Sequence, residues 1–406
     1  MNGPIIVVDV SKGSCHYQGY LENGKPIRKP KVLEDTIEGF EKLNVLIEEI
    51  KKKLNCESVP ILFEATGVYH RCLQKYLDDN LIPYYIISPL LSAAYRKTDL
   101  NGNKTDSLDC GHMAKAFYSE INLRLYKRPD DAFVRLQRLN RLYEDELGHL
   151  RKRKVQFRSY LDVIYPRLDK CFKGKSSLYD LVPLLLIKKY PHPKLLLKHK
   201  RETIINSLES SSIHEKIFIA SIVDKMMECA SHCYSGCDTN DMEVYQLSQV
   251  IDKLQKQIFI CDKLLGDLVH LAKLTPYFDN VYSITGLGEN LASRIIAEIG
   301  DISRFSNRKT ISAYAGLNPK IRQSGDIDGT HLRISKKGNG HLRCLLYLGA
   351  TCNYRLKKHD PLFEFNNKKR QQIHSPMKPK AANVATAHKL LIVIYALCKN
   401  NQEYNS

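Results

Sequence analysis

Four acidic residues stand at the ends of elements, where they can act together. Asp9 closes the apolar run Ile5, Ile6, Val7, Val8, and Glu64 closes Ile61, Leu62, Phe63; Asp106 and Asp109 follow at a three-residue step. Carboxylates at the ends of apolar, β-rich runs have no packing role. On a helix, a three-residue step places both acids on one face, so all four side chains can converge on a divalent cation. Phosphodiester chemistry is the natural use of such a cluster. Any one of these acids alone reads as a solvated surface carboxylate. A second group lies far downstream: Ser324 in Arg322-Gln-Ser-Gly325, followed by Arg333-Ile-Ser-Lys-Lys-Gly338 and Arg343. A hydroxyl beside a glycine, in a loop rich in Arg and Lys, is poised to meet a phosphate, although a lone serine of this kind is usually a turn residue. Ser335 and Tyr314 are the competing nucleophiles. Ser335 reads as a phosphate contact at a helix start, and Tyr314 as a packing residue in Ala-Tyr-Ala.

The elements that must position these residues follow from periodicity. Residues 4–10 and 15–22 predict strands, with the turn Glu22-Asn23-Gly24-Lys25 opening a hairpin meander. An amphipathic helix follows, with Ile37, Phe40, Leu43, Val45, Leu46, Ile50 and Leu54 as its apolar face. A strand at 60–64, a helix at about 69–79, a strand at 83–87 and a helix beginning near Asp106 complete an α/β order that matches the ribonuclease-H-like fold. Two long helices are expected at about 130–165 and 242–273. The first is strongly basic, Arg151, Lys152 and Arg153 included, with Leu136, Leu139, Leu142, Leu147 and Leu150 on its apolar side. The second carries Val244, Leu247, Val250, Ile251, Leu254, Ile258, Leu264 and Leu268 at near-heptad spacing. An antiparallel coiled coil, within one chain or between two, is one reading of the pair and ordinary bundle packing the other. Residues 166–241 form a helical insertion between them. Cys229, His232, Cys233 and Cys237 lie close together there, but not at a usual zinc spacing. Finally, Ile284 to Gly300 has the form of a helix-hairpin-helix element, in which Gly286 and Gly288 open a helix whose backbone N–H groups can meet a phosphate without reading sequence.

The chain carries 62 Lys+Arg against 44 Asp+Glu, a formal charge of +18. A nucleic-acid partner is the first expectation from that balance. No apolar stretch is expected to span a bilayer, and residues 1–10 lack the pattern of a signal peptide, so a cytoplasmic location is expected. The twelve cysteines, with Cys56, Cys72, Cys344 and Cys398 in apolar patterns, read as reduced core thiols rather than a disulfide framework.

Seven motifs occur in one order: V-D-V-S-K (8–12), F-E-A-T-G-V-Y (63–69), N-K-T-D-S-L-D (103–109), I-T-G-L-G (284–288), Y-A-G-L-N-P (314–319), R-Q-S-G (322–325) and R-I-S-K-K-G-N-G-H-L-R (333–343). Together they resemble the DEDD transposases of the IS-one-ten insertion-sequence group, over roughly residues 1–160 and 275–400. The resemblance implies a RuvC-like, RNase-H-like α/β domain at 1–128, a helical coiled-coil region at 129–274 with its insertion at about 166–241, and a mostly α-helical transposase domain at 275–406. The insertion is longer than the family's usual linker. By the same resemblance Asp9, Glu64, Asp106 and Asp109 would bind Mg²⁺, or Mn²⁺ in its place, and Ser324 would be the nucleophile forming a 5′-phosphoserine link to DNA. The acids of one subunit would act with the serine of another. Lys104, Arg151, Lys152, Arg153, Gly286, Gly288, Arg322, Arg333, Lys336, Lys337 and Arg343 are the candidate nucleic-acid contacts. The implied partners are donor and target DNA, a non-coding guide RNA encoded by the element, and further copies of the chain as a dimer or tetramer, with no membrane. A prokaryotic, nucleoid-associated protein is expected. The competing readings are a junction-resolving endonuclease, in which the acids activate water and Ser324 is structural, and a nucleic-acid-binding protein without catalysis.

Overall fold

The computed structural model describes residues 3–12, 15–65, 67–96, 106–119, 123–126, 130–172, 177–209, 216–319, 323–324, 327–328, 333–357 and 360–404, without the side chains of 90, 96, 106–108, 209, 323–324 and 327–328. It divides into two units, Met1–Arg128 and Pro129–Ser406. The first is an α/β unit and the second is mostly helical.

The first unit is built on a mixed sheet of β1 (Ile5–Asp9), β2 (Cys15–Glu22), β3 (Lys25–Pro26), β4 (Lys31–Leu33), β5 (Ile61–Glu64) and β6 (Tyr84–Ile87), interleaved with α1 (Ile37–Leu54), α2 (Arg71–Asp79), α3 (Pro89–Arg96) and α4 (Asp106–Ser119). The order is β3-β2-β1-β5-β6, with β4 also on β2. β1 runs antiparallel to β2 and parallel to β5, and β5 parallel to β6. β1 is central, and Ile5, Ile6, Val7 and Val8 are fully buried. Its continuous apolar run is what a strand covered on both faces requires. Ile6 and Val8 join Leu43 and Ile50 of α1 in one core, while Ile5 and Val7 join Met113 and Phe117 of α4 in the other.

Thr36 caps α1, accepting a hydrogen bond from the Gly39 N–H at 3.0 Å. The buried stripe of this helix is Phe40, Leu43, Leu46, Ile47 and Ile50. Ile37, Val45 and Leu54, expected on the apolar face, are exposed, because only positions within about 100° of the sheet-facing direction are covered. α3 has no counterpart among the elements expected from periodicity. Its start is the Ser88-Pro89 step, where Ser88 Oγ accepts from the Leu91 N–H at 3.2 Å.

In the second unit α5 (Asp131–Ile164) and α10 (Met242–Lys273) pack antiparallel within the chain. Gln257 on α10 donates to the Glu146 carboxylate on α5 at 2.7 Å. Between them come α6 (Leu181–Lys189), α7 (Pro193–Leu197), α8 (Arg201–Glu209) and α9 (Lys216–His232); after them α11 (Phe278–Tyr282), α12 (Glu289–Ile299), α13 (Arg308–Ala315), the two-residue strands β7 (Gln323–Ser324) and β8 (Ile327–Asp328), α14 (Gly340–Leu356), α15 (Pro361–Gln371) and α16 (Pro379–Asn400). The two long helices serve two cores. Phe157 and Leu161 of α5 and Val244 to Leu254 of α10 pack with the inserted helices. Phe133 and Leu136 of α5 and Leu268 and Ala272 of α10 pack with the C-terminal helices. Leu142, expected on the apolar side of α5, is 48 % exposed instead.

α16 is long and apolar enough to cross a membrane, contrary to the expectation that no stretch reaches that length. It places Leu390, Leu391 and Ile394 in the C-terminal core, and half of its apolar stretch is buried inside the protein. The twelve cysteines are free thiols. Cys398 is buried and Cys56 half-buried, but Cys72 and Cys344 are exposed, so two of the expected core thiols lie at the surface.

Replacing Leu268, fully buried where the two long helices meet the C-terminal core, with alanine is expected to cost about 2–5 kcal/mol. The same change at Leu142 is expected to cost under about 0.5 kcal/mol. Chemical denaturation of the two variants checks the difference.

Candidate active site

The acidic residues are positioned by the sheet of the first unit. The parallel register pairs Val8 with Phe63, and the next residues on the two strands are Asp9 and Glu64. Neighbouring strands lie about 4.8 Å apart, so both acids leave the same end of adjacent strands. Asp109 reaches that end from α4. Its neighbour Cys110 donates to the carbonyl of His16 at 3.6 Å, and His16 is the cross-strand partner of Asp9. Glu64 and Asp109 are buried, at 8 % and 7 % exposure. His112, one turn along α4 and also buried, brings Nδ1 to 3.9 Å from Asp109 Oδ1. The side chain of Asp106, at the first position of α4, lies outside the described residues, as does Lys104. Among the described residues no three His, Cys, Asp or Glu side chains stand at the mutual distances of one ion's ligands.

In the second unit Ser324 lies on β7, paired with Ile327 of β8, in a hairpin. Its side chain and Arg322 lie outside the described residues. The segments on either side of this hairpin are fastened to each other. Pro319 bridges to Ile334, the Ser335 N–H donates to the Asn318 carbonyl at 2.8 Å, and Ser335 Oγ donates to Asn318 Oδ1 at 2.7 Å. The Lys336 N–H donates to the Gly316 carbonyl at 3.1 Å, with Lys336 in the left-handed region at φ 56°. Gly338 is required where the chain doubles back, because a Cβ there would lie 2.4 Å from the Tyr314 carbonyl oxygen. Ser335 is thus tied into the base of the loop. Tyr314 donates its hydroxyl to the Glu298 carbonyl at 3.0 Å, a packing role as expected.

Beneath this base is a polar network that the sequence reading missed. Glu298, on the buried face of α12, has no solvent exposure. Its carboxylate accepts from Arg141 Nε at 2.7 Å and Nη2 at 2.6 Å, from Asn140 Nδ2 at 2.8 Å and from Asn339 Nδ2 at 2.8 Å. Asn339 Oδ1 in turn caps α14, accepting from the N–H groups of His341 and Leu342. Arg294 donates to Asn140 at 3.1 Å and to Glu144 at 2.9 Å, and His341 also contacts Glu144. The signal was present in the sequence: a glutamate amid Ile295, Ile296, Ala297 and Ile299 interrupts an otherwise apolar face. Arg141, on the basic helix α5, is the partner of that glutamate.

The candidate nucleic-acid contacts divide by environment. Arg151, Lys152, Arg333, Lys336 and Lys337 are exposed, and Arg153 is half-buried with a hydrogen bond to Gln156. Arg343 is half-buried and donates to the Ala315 carbonyl at 2.8 Å, a bond that holds the loop base. Gly286 has a packing role, since a Cβ there would lie 2.7 Å from the Asn353 backbone nitrogen. Gly288 is exposed at the cap of α12, whose first turn carries Glu289 in an ion pair with Lys273. In the insertion, burial pushes the Cys229 thiol up to about 12, and Cys171 lies beside it. Cys233 and Cys237 pack against the same core.

Two family models match the chain. The first, a DEDD transposase model of the IS110 type, matches residues 6–166, and the second, described as a transposase of the IS116/IS110/IS902 family, matches residues 279–363. The chain belongs to the IS110 family of transposases. Among its relatives is the transposase for insertion sequence element IS1111A of Coxiella burnetii, 31 % identical over 166 residues. That match covers 39 % of this chain and 44 % of the Coxiella protein. A protein of insertion element IS110 from Streptomyces coelicolor is 23 % identical over 100 % of this chain and 96 % of its own length. The pilin gene-inverting protein of Moraxella bovis is 22 % identical over 91 % of this chain and 88 % of its own length.

The Glu298 network makes a specific demand on stability. Glu298→Gln keeps the shape but removes the charge that Arg141 pairs with. Because Arg141 retains 38 % side-chain exposure, the expected cost is about 2–3 kcal/mol, below the range for a fully buried pair. Denaturant unfolding of the full chain measures it.

Proposed function

We propose that this protein is a DNA transposase that cuts and rejoins strands through a covalent serine intermediate, with Ser324 as nucleophile and Asp9, Glu64, Asp106 and Asp109 as its metal-binding acids. The observation that carries the reading is the emergence of Asp9 and Glu64 from the same end of two adjacent parallel strands, with Asp109 delivered to that end by α4. Three antiparallel strands followed by two parallel ones support a ribonuclease-H-like core. Family membership and relatives named for transposition and DNA inversion support DNA as substrate.

The donor chemistry suits magnesium or manganese. Asp9, Glu64, Asp106 and Asp109 offer hard oxygen ligands, and several carboxylates at one strand end repel one another unless a cation is present. When bound, the ion supplies charge neutralisation at the phosphoryl oxygens. The remaining work belongs to the chain's own residues. Ser324 Oγ forms a bond to phosphorus while the P–O3′ bond breaks. The 5′ phosphate stays on the serine, its hydroxyl proton passes to a carboxylate or to solvent, and the 3′ oxygen leaves as a hydroxyl after taking a proton. The phosphodiester energy is kept in the new ester, so attack by a different 3′ hydroxyl restores a continuous strand without an external energy source. Lys336, Lys337 and Arg333 lie exposed beside the hairpin base, available to hold the phosphate. The acids of one copy and the serine of another complete the site, and a guide RNA encoded by the element selects donor and target.

The test is a labelled duplex carrying the element's end. The wild-type protein is expected to leave a protein–DNA adduct that survives denaturation. Ser324→Ala is expected to abolish the adduct, by on the order of 10³-fold or more, while nucleic-acid binding persists. Cutting that continues in Ser324→Ala without an adduct would mean hydrolysis by water. Unchanged cutting in Asp9→Asn would remove the acids from the reaction.

A further inference from the structure

Val45 on α1 and Val32 on β4 are 66 % and 52 % exposed, yet both line a cleft of about 300 Å³ between α1 and the β3–β4 edge of the first unit. The cleft depends on Gly19. A Cβ there would lie 2.9 Å from both Ile27 Cγ2 and Ile50 Cδ1, so the glycine lets residues 27–30 and α1 close over β2. The crossover is held by its backbone: the Ile27 N–H donates to the Gly19 carbonyl at 2.9 Å, and Gln18 Nε2 donates to the Arg28 carbonyl at 2.8 Å. From this frame Arg28, Lys29, Lys31 and Lys42 line the cleft from three directions, the crossover, β4 and α1. A single carboxylate faces them, Glu49, and Arg28 already takes it at 2.8 Å. Among the described residues Lys29, Lys31 and Lys42 have no ion pair. Three lysines converging on one concavity repel one another unless an anion shares it.

We propose that this cleft binds the phosphodiester backbone of nucleic acid. The reading rests on the proposed function, and it adds a contact that none of the four acids or the serine loop supplies. Tyr17 and Lys31 pair across β2 and β4 on the face of the sheet that packs on α1, whereas Asp9 and Glu64 alternate with Val8 and Phe63 and emerge on the α4 face, so the cleft is a seat separate from the acids. Ammonium groups meet phosphates, the valines offer apolar contact to sugars, and Gln18 is engaged with the crossover, so binding is independent of sequence.

The experiment uses the full-length protein, the K29A/K31A/K42A variant and the charge-keeping K29R/K31R/K42R variant, each titrated by fluorescence anisotropy against a duplex DNA of the element end and against single-stranded RNA transcribed from its flank. Thermal melting confirms the fold, since the three side chains are exposed. The alanine variant is expected to bind at least one of the two on the order of 100-fold more weakly at 0.1 M salt. Its log K against log salt slope should fall by about 2–3, and the arginine variant should bind as the wild type does. Loss with DNA alone assigns the cleft to DNA, loss with RNA alone assigns it to RNA, and loss with both assigns a shared backbone seat. Unchanged affinity and slope for both would overturn the inference and leave the proposed function standing. A wild-type protein that binds neither would overturn the function as well.

Discussion

A carboxylate with no access to water must be paired, and the need to pair Glu298 organises the C-terminal part of this protein. The bidentate Arg141 guanidinium ties α12 to α5, and Asn339 ties the same carboxylate to the start of α14. Because Asn339 also caps α14, the helix cannot shift along its axis without exposing either its own first N–H groups or the buried charge. Residues 314–319 and 333–339 are then laced together over this point, and the hairpin bearing Ser324 springs from between them. The hairpin thus has a defined origin, and a buried charge supplies it.

The acidic cluster obeys a different constraint. Its placement comes from strand register, which in a sheet buried on both faces is set by packing of the apolar run rather than by the acids themselves. Ile5 to Val8 and Ile61 to Phe63 are fully buried, so the residue that follows each run stands at the C-terminal end of its strand beside its neighbour. A slip of β1 by one residue would exchange its two faces between the α1 and α4 cores, which are built from different residues. The carboxylates therefore inherit their position from hydrophobic packing.

Much of this was legible in the sequence because it rests on local pattern. The strands ending in Asp9 and Glu64, the helix beginning at Asp106 and both long helices follow from runs and periods that short stretches of chain encode. The failures have a common cause in tertiary context. Val45 and Leu142 satisfy the helical period yet face outward, because burial depends on which neighbour arrives. Arg141 is one cation among many in a basic helix, and its partner Glu298 lies more than 150 residues away in the chain. Gly286 fits a phosphate-binding turn by spacing, but the approach of the Asn353 backbone gives it a packing role. Pair contacts of this kind leave only a faint trace in one chain, such as a single glutamate in an apolar helix face.

In the proposed function the acids and the serine act on one phosphodiester and belong to different copies of the chain. Mixing Asp9→Asn protein with Ser324→Ala protein tests this directly, with the covalent protein–DNA adduct as the readout. Each alone should be inactive, and the mixture should recover adduct formation, because some assemblies join an intact acidic cluster to an intact serine. A mixture as inactive as its components, with both proteins folded and binding DNA, would contradict it.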